Sequence, residues 1–358
     1  MRPTTVHAGR PQRGFSLVEV MISTVVALFA TLAIMQSLAV SEGYRRTTAS
    51  ANDATFSGAS ATYLLSRDLQ MAGYGVNAGT YMGCTASGID EWAAPPQPFT
   101  FTLAPAQILL GANASTPDEV WIVSSGTSQL PGAVGLTVTM SAATDNYTVN
   151  NPYGITAGDV LLLAETGKAC TITQASNTPV SGATSTVLHA TGAKWRYNPG
   201  GGIGPVYDAG AVIMDLGTAP TVNRYYIVNN TLMLDQLVTD QLAQPVAANI
   251  VNMKAEYGED PGATGSVTVW TTAAPAQWPA VLAIRVAVVA RSAQPEKPSV
   301  TNGPCTTTTV TPIVVTWDDG TTTNLNLSGN ANNPNWQCYR YKVFHTTVSL
   351  RNSIWTPS

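Results

Sequence analysis

The sequence predicts an α+β chain in which one long N-terminal helix packs against a mostly antiparallel, β-rich globular head. Three observations carry this. An apolar run from Phe15 to Val40, 26 residues, exceeds the ~20 that a helix needs to span a bilayer. A stripe of small or apolar residues at helical spacing, Ala54, Gly58, Ala61, Leu64, Leu65, Leu69 and Ala72, continues it. After Gly75 the texture changes to short β-type runs punctuated by Gly, Pro and Asn.

The apolar run contains a single ionisable side chain, Glu19. Arg2, Arg10 and Arg13 precede it, and the positive-inside bias holds such a leader in the cytoplasm and sends the remainder outward. A carboxylate in hydrocarbon costs roughly 2.5–3.5 kcal/mol on the insertion scale, so Glu19 needs a partner. The plain alternative is a signal anchor with an incidental Glu near the lipid interface. An ordinary secretory signal would instead be cut after its apolar region.

No Pro or Gly interrupts the chain between Phe15 and Glu42, and the stop signal is Ala72-Gly73-Tyr74-Gly75, where glycine suits a helix C-cap. At 1.5 Å per residue, Phe15 to Ala72 makes a rod of roughly 85 Å. Gly43 and Gly58 are its weak points. The Leu64, Leu65 and Leu69 face is expected to pack under the head.

Strands are expected at Glu119–Ser124, Leu136–Met140, Asp159–Ala164, Thr186–Ala190, Ala211–Asp215, Arg224–Val228, Thr231–Leu234, Ser266–Trp270, Val281–Ala290, Ile313–Trp317 and Tyr339–Leu350. Asn229-Asn230 reads as a tight hairpin, since Asn tolerates positive φ. Loop signals at 198–205 and 295–304 divide the chain. The expected organisation is a leader at 1–14, a helix at 15–73 with its membrane span at 15–40, a β-rich insertion or first lobe at 74–205, and a C-terminal β-rich lobe at 206–358.

With 358 residues, either one large lobe or two smaller ones fit. Only 11% of residues are charged and the net charge is −4, which gives no field to collect nucleic acid. Cys84, Cys170, Cys305 and Cys338 all lie beyond the membrane segment, where an oxidising compartment favours disulfides. Four cysteines allow three connectivities. Cys84 with Cys170 and Cys305 with Cys338 is favoured, because the second pair closes a modest loop, stabilises by roughly 3–4 kcal/mol and ties back the C-terminal strand.

Gly14-Phe15-Ser16-Leu17-Val18-Glu19 resembles the N-terminus of a type IV prepilin. The resemblance implies cleavage after Gly14, methylation of the new Phe15 amine and retention of the helix. The freed ammonium would then meet Glu19 on the same subunit or its neighbour, a buried pair that sets register more than it adds stability. Many major pilins carry a Gly or Pro inside the apolar portion; this chain has neither, so their local unwinding is not expected.

Further resemblance is to the PilW family of minor pilins, within a type IV pilin-like fold. It rests on Leu64-Leu65-Ser66-Arg67-Asp68-Leu69-Gln70-Met71-Ala72-Gly73-Tyr74, Ala255-Glu256-Tyr257-Gly258, Ala283–Ser292, Tyr339–Phe344 and Val348–Asn352. It implies a low-abundance subunit, processed by prepilin peptidase at the bacterial inner membrane, that primes or caps pilus assembly. Its implied partners are minor and major pilins, inner-membrane lipid and a large tip adhesin. The head would lie in the periplasm and later on the pilus, in attachment and twitching motility. Because Glu19 is present, the subunit need not be the terminal one. The rivals are a minor pseudopilin of a type II secretion system and a pilus-borne adhesive module acting through residues 84–205.

Catalytic readings fare poorly. Of three histidines, His7 lies in the leader, and neither His189 nor His345 has a nucleophile-elbow context. Pro205 denies Gly200-Gly201-Gly202-Ile203-Gly204 the helix that a phosphate loop needs. The acidic turns Glu256–Gly262 and Trp317–Gly320 lack the ligand spacing of a calcium loop. No catalytic residue, cofactor or metal is therefore assigned. Trp92, Trp195, Trp278, Trp336 and Trp355 are candidate contact anchors, with Trp92 and Trp336 in Pro- and Asn-rich loops foremost.

Overall fold

In the computed structural model the apolar run and the stripe beyond it form one helix, Leu17–Met71. The structure describes residues 14, 16–76, 79–127, 132–152, 154–180, 182, 184–238, 241–298 and 303–352, and all their side chains except those of Arg46 and Gln241. The chain divides after Ser50 into two compact units. In the first, every large apolar side chain from Leu17 to Val40 is 50–76% exposed. That suits an apolar solvent and opposes an aqueous one, since a helix that is hydrophobic all round belongs in lipid or in a protein core.

The second unit opens on the remainder of the helix, which is one-sided. Ala54, Gly58, Ala61, Leu65, Leu69 and Ala72 are buried, at steps of three and four that follow the 3.6-residue turn. Leu64 is only partly covered. The helix stops after Met71, and Gly73 and Gly75 take φ of +78° and +74°, values that L side chains resist.

Three sheets follow. A five-stranded antiparallel sheet runs in the order Gln241–Ala248, Thr231–Gln236, Thr221–Val228, Glu119–Ser124, Ala106–Leu109. A four-stranded antiparallel sheet has the order Val269–Thr271, Ile250–Glu259, Val281–Arg291, Tyr341–Ser349. The six-stranded sheet, ordered Gln97–Thr102, Thr85–Asp90, Cys170–Gln174, Val160–Ala164, Val212–Asp215, Val134–Gly135, contains the one parallel pairing among the described residues, between Thr85–Asp90 and Cys170–Gln174. Two small ladders, Ile313–Thr316 with Thr322–Leu325 and Tyr147–Val149 with Ser185–Val187, complete the described strands.

The hydrophobic pattern explains the layering. The helix face packs with Tyr225 and Leu232 of the five-stranded sheet and with Ile284, Val286, Val288 and Val348 of the four-stranded one. Ala287 and Val289, on the opposite face of Val281–Arg291, pack under Val315, Trp317 and Leu325. Burial on both faces is why this strand reads as an almost unbroken apolar run. Val160–Ala164 is buried throughout for the same reason, with Leu162 in one core and Leu161 and Leu163 in another.

Asn229 and Asn230 adopt φ of 50° and 58° between two paired strands, the geometry of a two-residue hairpin. Strands from either side of residue 205 share sheets: Glu119–Ser124 pairs with Thr221–Val228, and Val160–Ala164 with Val212–Asp215. Leu136–Met140 is not a strand beyond one bridge at Leu136, because Thr137 and Met140 bond to separate segments. The strands near 186–190 and 266–270 are shorter or shifted, at Ser185–Val187 and Val269–Thr271.

Candidate assembly site

The N-terminal site starts with a serine, a favoured residue before a helix. The Ser16 carbonyl accepts the Glu19 and Val20 amides at 3.0 and 3.1 Å. Glu19 therefore sits in the first turn, where the helix dipole favours a negative charge. Among the described residues its carboxylate forms no ion pair. Three hydroxyls in the apolar half are satisfied within it: those of Ser23, Thr24 and Thr31 donate to the carbonyls of Glu19, Met21 and Leu28 at 2.6–2.8 Å. These back-bonds suit a medium without water. Gly14 precedes the helix outside regular structure, and Phe15 lies outside the described residues.

In the second unit a polar clamp reinforces the apolar seam between helix and sheets. Asp68 Oδ2 accepts from the Tyr225 hydroxyl at 2.6 Å and from Asn223 Nδ2 at 2.8 Å, while Oδ1 takes the Arg67 guanidinium at 2.9 Å. Burial first, and the Asp68 charge second, push the Tyr225 hydroxyl above its ordinary range, so it remains a donor. At the helix end, Asn352 Nδ2 donates to the carbonyls of Met71 and Ala72 at 3.3 and 3.0 Å, satisfying groups a helix leaves open. Gly73 N–H donates to Val123 O at 2.8 Å, and Ser125 N–H to Tyr74 O at 2.7 Å.

Glu256 and Arg285 stand opposite each other in adjacent strands. Arg285 places Nη2 2.6 Å from Glu256, Nη1 3.0 Å from Asp319, and its guanidinium carbon 4.5 Å from the ring centres of both Trp270 and Trp317. A buried guanidinium costs free energy unless it is paired and hydrogen-bonded, and here it is both. The segments containing Asp68 and Asn352 thus grip the helix at its seam with the sheets, whereas Glu256 and Arg285 lie on the opposite face of their sheet, against Thr321, Thr323 and Trp317.

The cysteines are joined as Cys84–Cys170 and Cys305–Cys338, with Cα separations of 5.8 and 4.9 Å. His189 is buried, stacked on Tyr147 with ring centres 4.4 Å apart and Nε2 2.7 Å from the Asp145 carbonyl; burial lowers its pKa. His345 meets the Trp317 ring edge-on, and His7 lies outside the described residues. The acidic turns are internally bonded: Asp260 accepts from Thr264 and Gly265, and Asp319 from Thr321 and Arg285. Among the described residues no three His, Cys, Asp or Glu groups converge as metal ligands. Residues 199–202 form a turn, and a Cβ on Gly204 would collide with Thr171. Trp278 and Trp336 pack against cores, and Trp195 is half-buried under the Lys194 ammonium. Trp92 is exposed, with its indole N–H donating to Ala193 O at 3.1 Å; Trp355 lies outside the described residues.

Comparison with known families finds two matches. Residues 9–35 match the prokaryotic N-terminal methylation motif, and residues 221–352 match the Type IV Pilus-assembly protein W family. No curated protein and no solved structure matches the chain. The second match begins in the strand that carries Asn223 and Tyr225 and ends on Asn352, so it contains the sheet-side residues that grip the helix. With the methylation motif leading into the exposed apolar helix, the two matches agree with a PilW-like type IV prepilin.

Proposed function

We propose that this chain is a minor type IV pilin. Residues 15–40 hold it in the inner membrane with the head on the periplasmic side until prepilin peptidase cuts after Gly14. Phe15 is then methylated, and its ammonium pairs with Glu19, on the same subunit or a neighbour, as the subunit joins other pilins and lipid gives way to neighbouring helices. In the filament it works with other minor pilins to prime or cap assembly, alongside an adhesin. The observation that carries this reading is the apolar half of the helix, Leu17–Val40, exposed on every side, whose one carboxylate stands in the first turn. Such a group is costly in hydrocarbon and therefore functional by default.

Two measurements test it. Mass spectrometry of the protein from sheared pili should find methylated Phe15 at the N-terminus. Glu19→Ala should leave membrane insertion and processing intact but remove the subunit from sheared pili. A mature protein starting upstream of Phe15, or normal incorporation of the alanine variant, would sink the reading.

A second reading, that the pilin also binds a surface directly, draws on Trp92, which is exposed in a region outside both family matches. Deleting residues 84–205 is a poor test, because it strips Ala106–Leu109 and Glu119–Ser124 from the sheet that packs on the helix. Trp92→Ala is cleaner: normal piliation with lost attachment supports adhesion, and unchanged attachment removes this second role.

A further inference from the structure

Sheet edges are templates for another strand, and folded proteins blunt them with short strands, proline or bulges. The three large sheets here have six edges. Val134–Gly135, Ala106–Leu109 and Val269–Thr271 are two, four and three residues long. Gln97–Thr102 contains Pro98, and Gln241–Ala248 contains Pro245 and two register shifts. The sixth edge, Tyr341–Ser349, has nine residues, no Pro or Gly, and an unbroken register against Val281–Arg291.

The register fixes which backbone groups face outward. Leu350 N–H donates to Leu282 O and Ser292 N–H to Arg340 O, each at 2.8 Å, so the even-numbered residues of this strand are the ones bonded to its neighbour. In an antiparallel ladder the alternate residues point both backbone groups away. Tyr341, Val343, His345 and Thr347 therefore present N–H and C=O on the open side, and among the described residues no backbone bond is made to them there. Beside the start of the strand lies a cleft of about 390 Å³ lined by Ala51, Ala54, Thr308, Arg340, Tyr341 and Lys342. Arg340 is paired with Glu296, whereas Lys342 bonds the neutral Thr55 hydroxyl and, among the described residues, has no carboxylate partner.

We propose that the outer edge of Tyr341–Ser349 is a docking site for an extended strand of a different pilus subunit, added by main-chain hydrogen bonds, with an acidic side chain set over Lys342. Strand addition takes its affinity from the backbone ladder and its selectivity from the side chains beside it. A second copy of this chain would meet Lys342 with its own lysine or leave it unpaired, which disfavours self-pairing. The proposal rests on the reading of this chain as a pilin subunit.

The test is hydrogen exchange on the full-length chain, first purified alone in detergent and then within isolated pili. Backbone amides in the 341–349 segment should exchange at least about tenfold more slowly in pili than in the free chain. Thr347→Pro removes one outward N–H and leaves the bonds to Val281–Arg291 in place, so it should abolish that slowing; Thr347→Val keeps the N–H and should retain it. Equal exchange in the two states, protection already present in the free chain, self-association of the free chain through this strand, or Thr347→Pro behaving as wild type would each overturn the proposal. A chain absent from pili altogether fails the pilin reading; one present with unchanged exchange fails the docking site alone.

Discussion

The helix Leu17–Met71 has two halves that obey different solvents. From Leu17 to Val40 apolar residues occupy every face and all are exposed, whereas from Ala51 to Met71 burial follows one stripe and the opposite face carries Asn52, Asp53 and Arg67. Helix formation is common to both, so the backbone does not distinguish them. The angular distribution of apolar side chains does: a full cylinder suits lipid or a bundle of helices, and a stripe suits one protein surface. The lesson is that equivalent residues in the two halves carry different free energies.

Two leucines give the largest contrast. Leu69→Ala removes a side chain with no exposed surface and should destabilise the folded head by about 3–5 kcal/mol. Leu32→Ala, at a half-exposed position, should leave head unfolding within about 0.5 kcal/mol of wild type. Denaturant titration of both variants in the same detergent, followed by head tryptophan fluorescence, reads the difference. Equal effects would break the division.

Two carboxylates come next. Asp68→Ala strands the Tyr225 hydroxyl and Asn223 amide in a buried setting and should cost about 1–3 kcal/mol. Glu19→Ala should not move the same unfolding curve, even where it prevents incorporation into pili. A double-mutant cycle with Tyr225→Phe should show coupling for Asp68 and none for Glu19.

Two glycines give effects of opposite sign, the smaller of them at Gly43. A Cβ on Gly58 would stand 2.1 Å from the Phe344 ring, so Gly58→Ala forces that ring aside and should cost about 1–3 kcal/mol. At Gly43 nothing lies within 4 Å, and Gly43→Ala should increase helix stability by up to about 1 kcal/mol. Circular dichroism melts of the pair compare them directly; a stabilising Gly58→Ala would mean that Phe344 does not pack there.

Much of this contrast was legible in the chain, because lipid burial and one-sided packing write different periodicities. The strands were less so. Ile250–Glu259, central to the four-stranded sheet, has Asn252, Lys254 and Glu256 at alternate positions, and only as a piece of family resemblance did its Ala255–Gly258 segment stand out. Distant residues meet most of their hydrogen-bonding needs: Ala114 and Asn326 accept from Asn252 Nδ2, Asp118 pairs with Lys254, and Arg285 pairs with Glu256, while Asn252 Oδ1 has no partner among the described residues. Thr85–Asp90 and Cys170–Gln174 escape for a related reason, since their pairing is parallel and spans most of a hundred residues. Gly58 reads as a weak point by composition, yet its lack of a side chain is what admits Phe344.

By itself the sequence determined the helix and its two media, the lone carboxylate of the apolar half, the Asn-Asn hairpin and the strand Val281–Ala290, apolar but for Arg285. These are local patterns, and a local pattern acts through the few residues around it. Tertiary structure alone decided that strands from both sides of residue 205 share sheets, that Asp68 meets Tyr225 across 157 residues, and that Tyr341–Ser349 remains an open edge. Each of those depends on which distant partner reaches a backbone or polar group first, a competition that spacing along one chain does not encode.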